Sequence, residues 1–163
     1  HNKGRLMKKL VLLSLCAVLS TAAFAKDTTC NGTINNRNID GNVKVTQHCN
    51  IMNSKINGNI TAQKNAILIV KNSRINGNLE SKSNFKKVTA IGNSIDGNVQ
   101  LQGGQVIALN QNRINGNVKL KQNRHNVVVK MNQIKGNLQC DNNTQRPITV
   151  KNRVNGNAQG QCR

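Results

Sequence analysis

One grouping of apolar and polar positions returns seven times along the chain: Ile39-Asp40-Gly41-Asn42, Ile56-Asn57-Gly58-Asn59, Ile75-Asn76-Gly77-Asn78, Ile95-Asp96-Gly97-Asn98, Ile114-Asn115-Gly116-Asn117, Ile134-Lys135-Gly136-Asn137 and Val154-Asn155-Gly156-Asn157. Four residues after each leading Ile or Val stands another apolar side chain (Val43, Ile60, Leu79, Val99, Val118, Leu138, Ala158). Two further on stand Val45, Ala62, Leu101, Leu120 and Cys140, with Ser81 and Gly160 as exceptions. A period of two is what a strand with one buried face requires. A second short run, rich in β-branched residues, precedes the motif at 67–70, 88–91, 106–109, 127–129 and 148–150. None of these runs is long enough for a helix, and nothing repeats at 3.6 residues.

The motif glycines are 17, 19, 20, 19, 20 and 20 residues apart. Units that small cannot bury an apolar face alone, and copies of one unit bury it by stacking, which predicts a solenoid. The expected fold is all-β: a parallel β-helix of about seven coils of 19–20 residues, right-handed because a left-handed hexapeptide helix would need a six-residue period. Six of the seven motifs carry Asn-Gly or Asp-Gly, a pair that tolerates positive φ, so this pair is expected to form the corner between two faces. Each coil should hold two clear strands and a weaker third near its variable turn. Stacking places Asn42, Asn59, Asn78, Asn98, Asn117, Asn137 and Asn157 in one column, predicting an asparagine ladder of mutually hydrogen-bonded amides. Asn93, Asn112, Asn132 and Asn152 form a second, partial column.

Composition changes this picture at the N-terminus. Met7, Lys8 and Lys9 precede an apolar run over 10–22, and Ala23-Phe24-Ala25 has the small-x-small pattern of a signal-peptidase site. Residues 7–25 are therefore expected to be a cleaved signal peptide, residues 1–6 an upstream extension, and 26–163 a single β-solenoid domain without a transmembrane segment. The expected location is periplasmic or extracellular. Residues 26–163 keep twenty basic residues and all five acidic ones, a formal charge of +15. That excess favours polyanionic partners: acidic polysaccharide, lipopolysaccharide, nucleic acid or an anionic membrane surface. Phe85 is the one aromatic residue after the export segment, which argues against base stacking and specific nucleic-acid recognition.

The exported part has four cysteines, and an even number in an exported chain reads as disulfides. Cys30 and Cys49 are one period apart, and Cys140 and Cys162 fall on the last two coils. The pairings Cys30–Cys49 and Cys140–Cys162 would staple the ends, where a solenoid exposes open strand edges. The only histidines after the export segment are His48 and His125, too few for a zinc signature, and no cofactor or metal is expected.

These coils, with Gly136-Asn137-Leu138-Gln139-Cys140 and the closing Gly156-Asn157-Ala158-Gln159-Gly160-Gln161-Cys162, resemble small secreted bacterial β-helix proteins of uncharacterised function. The resemblance spans nearly all of 26–163. It implies the fold, export and terminal disulfides, and it brings no activity or catalytic residue with it. The chain is richer in Lys, Arg and Asn than those proteins. It is also similar to curli-type amyloid subunits in stacking Asn-rich coils, but differs in its terminal cysteines and its charge.

Polysaccharide-active enzymes use parallel β-helices, and their chemistry needs paired carboxylates or a carboxylate-bound cation. Asp27, Asp40, Glu80, Asp96 and Asp141 offer no evident pair, and no nucleophile or phosphate-loop motif occurs. A non-enzymatic protein is expected. The residue before the motif is Lys55, Arg74, Arg113 or Arg153 in four coils, and Lys119 and Lys121 face outward after it. These six predict a linear basic face for polyanionic envelope polymers, on a chain expected to be monomeric. The alternative is a self-assembling structural subunit that forms filaments.

Overall fold

The computed structural model describes residues 26–163. The upstream extension and the signal peptide read from the sequence lie outside the described residues. The described residues form twenty strands and no helix. Strands from successive coils pair in parallel, one-to-one, so each turn of chain lies directly on the last. The chain is a parallel β-solenoid with three strands per coil. In the third coil these are Ile67–Lys71 before the motif, Arg74–Ile75 at it and Leu79–Ser81 after it. The seven two-residue motif strands stack as one sheet. The other two faces merge into a single thirteen-stranded sheet, because Gly41–Met52 runs unbroken round one edge and pairs with both Ile60–Ala62 and Ile67–Lys71.

Alternation fills the core. Inward columns such as Ile56, Ile75, Ile95 and Ile114 from the motif strands meet Leu68, Ile107 and Leu109 from the strands before them and Leu79, Val99 and Val118 from those after, all fully buried. Phe85, in a turn, is also fully buried, and its ring occupies the space a side chain at Gly104 would need. Ser81 is a polar exception in an inward column, and its hydroxyl donates to Ala62 O at 2.7 Å.

The third strand sits at the motif itself and not near the variable turn, a correction to the sequence reading. The positive-φ corner is also elsewhere. None of the motif glycines is left-handed; a left-handed residue lies three before the motif Ile or Val, as Asn36, Asn53, Asn72, Gly92, Gln111, Met131 and Lys151, and a second left-handed corner follows the strand after the motif at Gly103, Gln122 and Asn142. Asparagine tolerates this conformation best among residues with a side chain, and it fills the first three positions. The motif glycine serves close approach instead. A Cβ on Gly58 would overlap Asn42 Oδ1 and lie 2.6 Å from Gly41 O. The same contacts recur up the stack.

Both disulfides join the expected partners, Cys30 to Cys49 with Cα atoms 5.7 Å apart and Cys140 to Cys162 at 5.2 Å. The two ends differ. At the first coil Cys30, Ile34 and Ile39 are buried, whereas at the last the inward Thr149 and Ala158 are exposed. The second disulfide therefore holds a coil with an open underside. Replacing Cys140 and Cys162 together by Ser is expected to lower the urea-unfolding free energy by about 2 kcal/mol, through release of loop-closure entropy. A change below about 0.5 kcal/mol, within the usual range for neutral surface substitutions, would show that the last coil holds without its staple.

Candidate polyanion-binding face

Three polar columns run along the solenoid axis. The predicted ladder from Asn42 to Asn157 exists, but its bonds are not amide to amide. Each Oδ1 accepts the backbone N–H of the next asparagine, as from Asn59 to Asn42 (2.9 Å), Asn98 to Asn78 (2.8 Å) and Asn157 to Asn137 (2.9 Å). Asn42 Nδ2 donates to Asp27 Oδ1 at 3.0 Å, so an aspartate in ladder register ends the column. The second column is buried and runs the opposite way. Asn93, Asn112 and Asn132 each donate N–H and Nδ2–H to the Oδ1 of the next coil, and Ser73 and Ser54 continue it toward the N-terminus. A third column, Asn123, Asn143 and Gln161, was not read from the sequence. It lies seven residues after the motif glycine, where Gly104 fills the place before the two Asn and Gln161 reaches in from a shorter last turn.

Four of the six predicted cations sit on the motif sheet. Asn38, Lys55, Arg74, Ser94, Arg113, Gln133 and Arg153 pair in unbroken register, so they form one outward column with about 4.8 Å between neighbours. Beside it run the second motif residues, partly tied to one another by amide bonds such as Asn76 Nδ2 to Asn57 Oδ1 (3.0 Å). Arg74 is restrained: its guanidinium pairs with Asp96 at 3.2 Å and donates from Nε to Asn76 Oδ1 at 3.1 Å. Being exposed, that pair adds little stability and chiefly orients the side chain.

A shallow open trough of about 870 Å³ follows the left-handed corner over the first coils. Lys55 and Arg74 form one wall, Asn36, Asn53 and Asn72 line the other, and Ser54 and Ser73 lie in the floor. Arg37 opens it. Arg37 is a cation the sequence reading missed, and the available signal was its place in the buried ladder column, where its N–H donates to Ser54 Oγ at 3.1 Å. A smaller recess of about 280 Å³ near the other end is lined by Arg113, Lys135 and Arg153. Lys135 was legible as the one motif lacking Asn or Asp before its glycine.

Lys119 and Lys121 do not join this column. They project from the strand after the motif, between Gln100 and Gln139 and between Gln102 and Asp141. The chain turns between Ile114 and Val118, so residues beyond that corner face outward from another side. The six predicted cations thus divide four and two. The acidic residues are dispersed: Asp27 is in the ladder, Asp40 and Asp96 share a column three coils apart, and Glu80 and Asp141 lie on the face after the motif. Among the described residues no group of three or more His, Cys, Asp or Glu is placed to hold a metal ion. Compared with family models, curated proteins and solved structures, the chain matches none.

Proposed function

We propose that this chain is an exported, non-catalytic solenoid whose motif face binds linear polyanions of the cell envelope, such as acidic polysaccharide or lipopolysaccharide. The observation that carries this reading is the single register column of Lys55, Arg74, Arg113 and Arg153. Lys55 and Arg74 lie on adjacent coils and Arg113 and Arg153 on alternate ones, and a chain of anionic groups laid along the axis offsets their mutual repulsion. Two disulfides fit an oxidising compartment outside the cytoplasm. Dispersed carboxylates argue against glycosidic-bond chemistry.

A stereochemical point favours a monomer over the self-assembling alternative. Continuing the stack by a second copy would set Lys26 on Gly156, because Lys26 occupies the register of the motif glycine. That position has no room for a Cβ over the preceding Asn and Gly. The chain is therefore expected to elute as a monomer in size-exclusion chromatography and to form no thioflavin-positive filaments.

Binding to immobilised heparin tests the reading. Replacing Arg74, Arg113 and Arg153 by Gln is expected to lower the slope of log affinity on log salt by about 2 to 3, one for each lost contact. An unchanged slope, or elution of the unmodified chain at low salt, would refute it.

A further inference from the structure

The three outward surfaces of the solenoid differ in kind. Outward positions of the motif strands and of the strands after them are all polar or charged. Those of the strands before the motif are not. Their central column reads Asn50, Ile69, Thr89, Ala108, Val128 and Ile148 in continuous register. The neighbouring columns add Ile67 and Val106 on one side and Ile91 and Val150 on the other. Even the polar interruptions are muted, since Thr89 Oγ1 and Asn110 Oδ1 are covered and have no hydrogen-bond partner. Every second residue of these strands already supplies the core, so the outward apolar residues are surplus to folding. Ile148 and Val150 are exposed and the other apolar residues of this face are half-buried, and a contiguous solvent-facing apolar surface of this kind marks a site of interaction.

Charge selects the occupant. Lys87 stands in one flanking column and Lys71 and Lys130 in the other, and these strands carry no Asp or Glu. Two copies meeting face to face would bring their lysines together around a dry seam, which like-charge repulsion opposes. A flat apolar band between lysines matches a layer that is apolar within and anionic at its surface. We propose that the face formed by the strands before the motif lies against an anionic lipid membrane, with Ile69, Ala108, Val128 and Ile148 toward the acyl boundary and Lys71, Lys87 and Lys130 on lipid phosphates. This site is separate from the polyanion column and uses none of its residues.

Co-sedimentation of the full chain with phosphatidylcholine vesicles, with and without an equal part of phosphatidylglycerol, tests the proposal. The chain is expected to bind the anionic vesicles and to leave the neutral ones. Ile69→Asn with Val128→Asn should weaken binding about tenfold or more. Lys71→Gln with Lys130→Gln should do the same and flatten the salt dependence. The second pair removes no apolar contact, so it reads the site even where the first disturbs folding. Lys44→Gln, on the strand after the motif and outside both proposed sites, should change vesicle binding less than about twofold. The proposal is overturned if both face variants bind like the unmodified chain, for then residues 1–25 or the motif face carry the affinity. It is equally overturned if the unmodified chain ignores anionic vesicles, or if the Ile69/Val128 pair instead abolishes a dimer. Heparin binding without vesicle binding would leave the polyanion reading standing and this one refuted.

Discussion

Replacing Asn112 by Leu is expected to cost about 4 kcal/mol of unfolding free energy, although the two side chains are close in size. Asn112 is buried, and its Oδ1 accepts both the N–H and the Nδ2–H of Asn93 at 3.0 Å. Its own Nδ2 donates to Ala90 O at 2.9 Å and Asn132 Oδ1 at 3.0 Å. Leu removes these partners together, leaving the Asn93 N–H without an acceptor and the Ala90 carbonyl with one donor fewer where water does not reach. Each such orphaned group costs about 1–3 kcal/mol. Serine should be far milder, about 1–2 kcal/mol, because Ser73 already performs the essential step in the same column by accepting the Ser54 N–H at 3.1 Å. Urea unfolding of the three proteins gives the ranking directly. Equal losses for Leu and Ser would mean that volume, not hydrogen bonding, sets the cost.

Gly116→Ala is expected to destabilise by about 3 kcal/mol, an unusual penalty for adding one methyl at a partly exposed position. The new Cβ would overlap Asn98 Oδ1 and approach Gly97 O to 2.6 Å. Relief requires lifting one coil off the next, which weakens the Gly116 N–H bond to Gly97 O (3.0 Å) and the Asn117 N–H bond to Asn98 Oδ1 (2.8 Å). Gly103→Asn is the contrasting case. Gly103 has φ +77°, its nearest neighbour beyond the adjoining residues is Lys82 O at 4.0 Å, and Gln122 and Asn142 hold the equivalent corner with φ of 55° and 53°. Asparagine there should cost less than about 1 kcal/mol. If Gly103→Asn proved the more damaging of the two, the motif glycine would be a conformational requirement after all and the close-approach account would fail.

Those two glycines show how far the sequence could be read. That a glycine recurred every 17 to 20 residues was visible, and so was the asparagine beside it. Its reason was not, because glycine serves positive φ and close packing alike, and only the neighbouring coil distinguishes them. The ladder asparagines behave the same way. Their common column follows from the period, but whether Oδ1 meets an amide or a backbone N–H depends on a side-chain rotamer set by the adjacent coil. Lys119 and Lys121 were assigned to the basic face although the expected Asn115-Gly116 corner stands between them and Arg113, because outward alternation alone does not say which side a strand faces. The chain turns at Asn115–Val118, and everything beyond points elsewhere.

The sequence by itself determined the solenoid, its inward columns and the partners of its cysteines. These rest on local alternation and a near-constant period, which propagate without knowledge of any long-range contact. Only the tertiary structure decided the left-handed corner three residues before the motif, the opposed directions of the two main asparagine columns and the separation of the surface into three unlike faces. Each of these depends on which atoms of one coil meet those of the next, and stacking supplies that juxtaposition. The repeat motif that dominates the sequence builds the scaffold, and the binding surfaces proposed for this protein lie mainly on residues that vary from coil to coil.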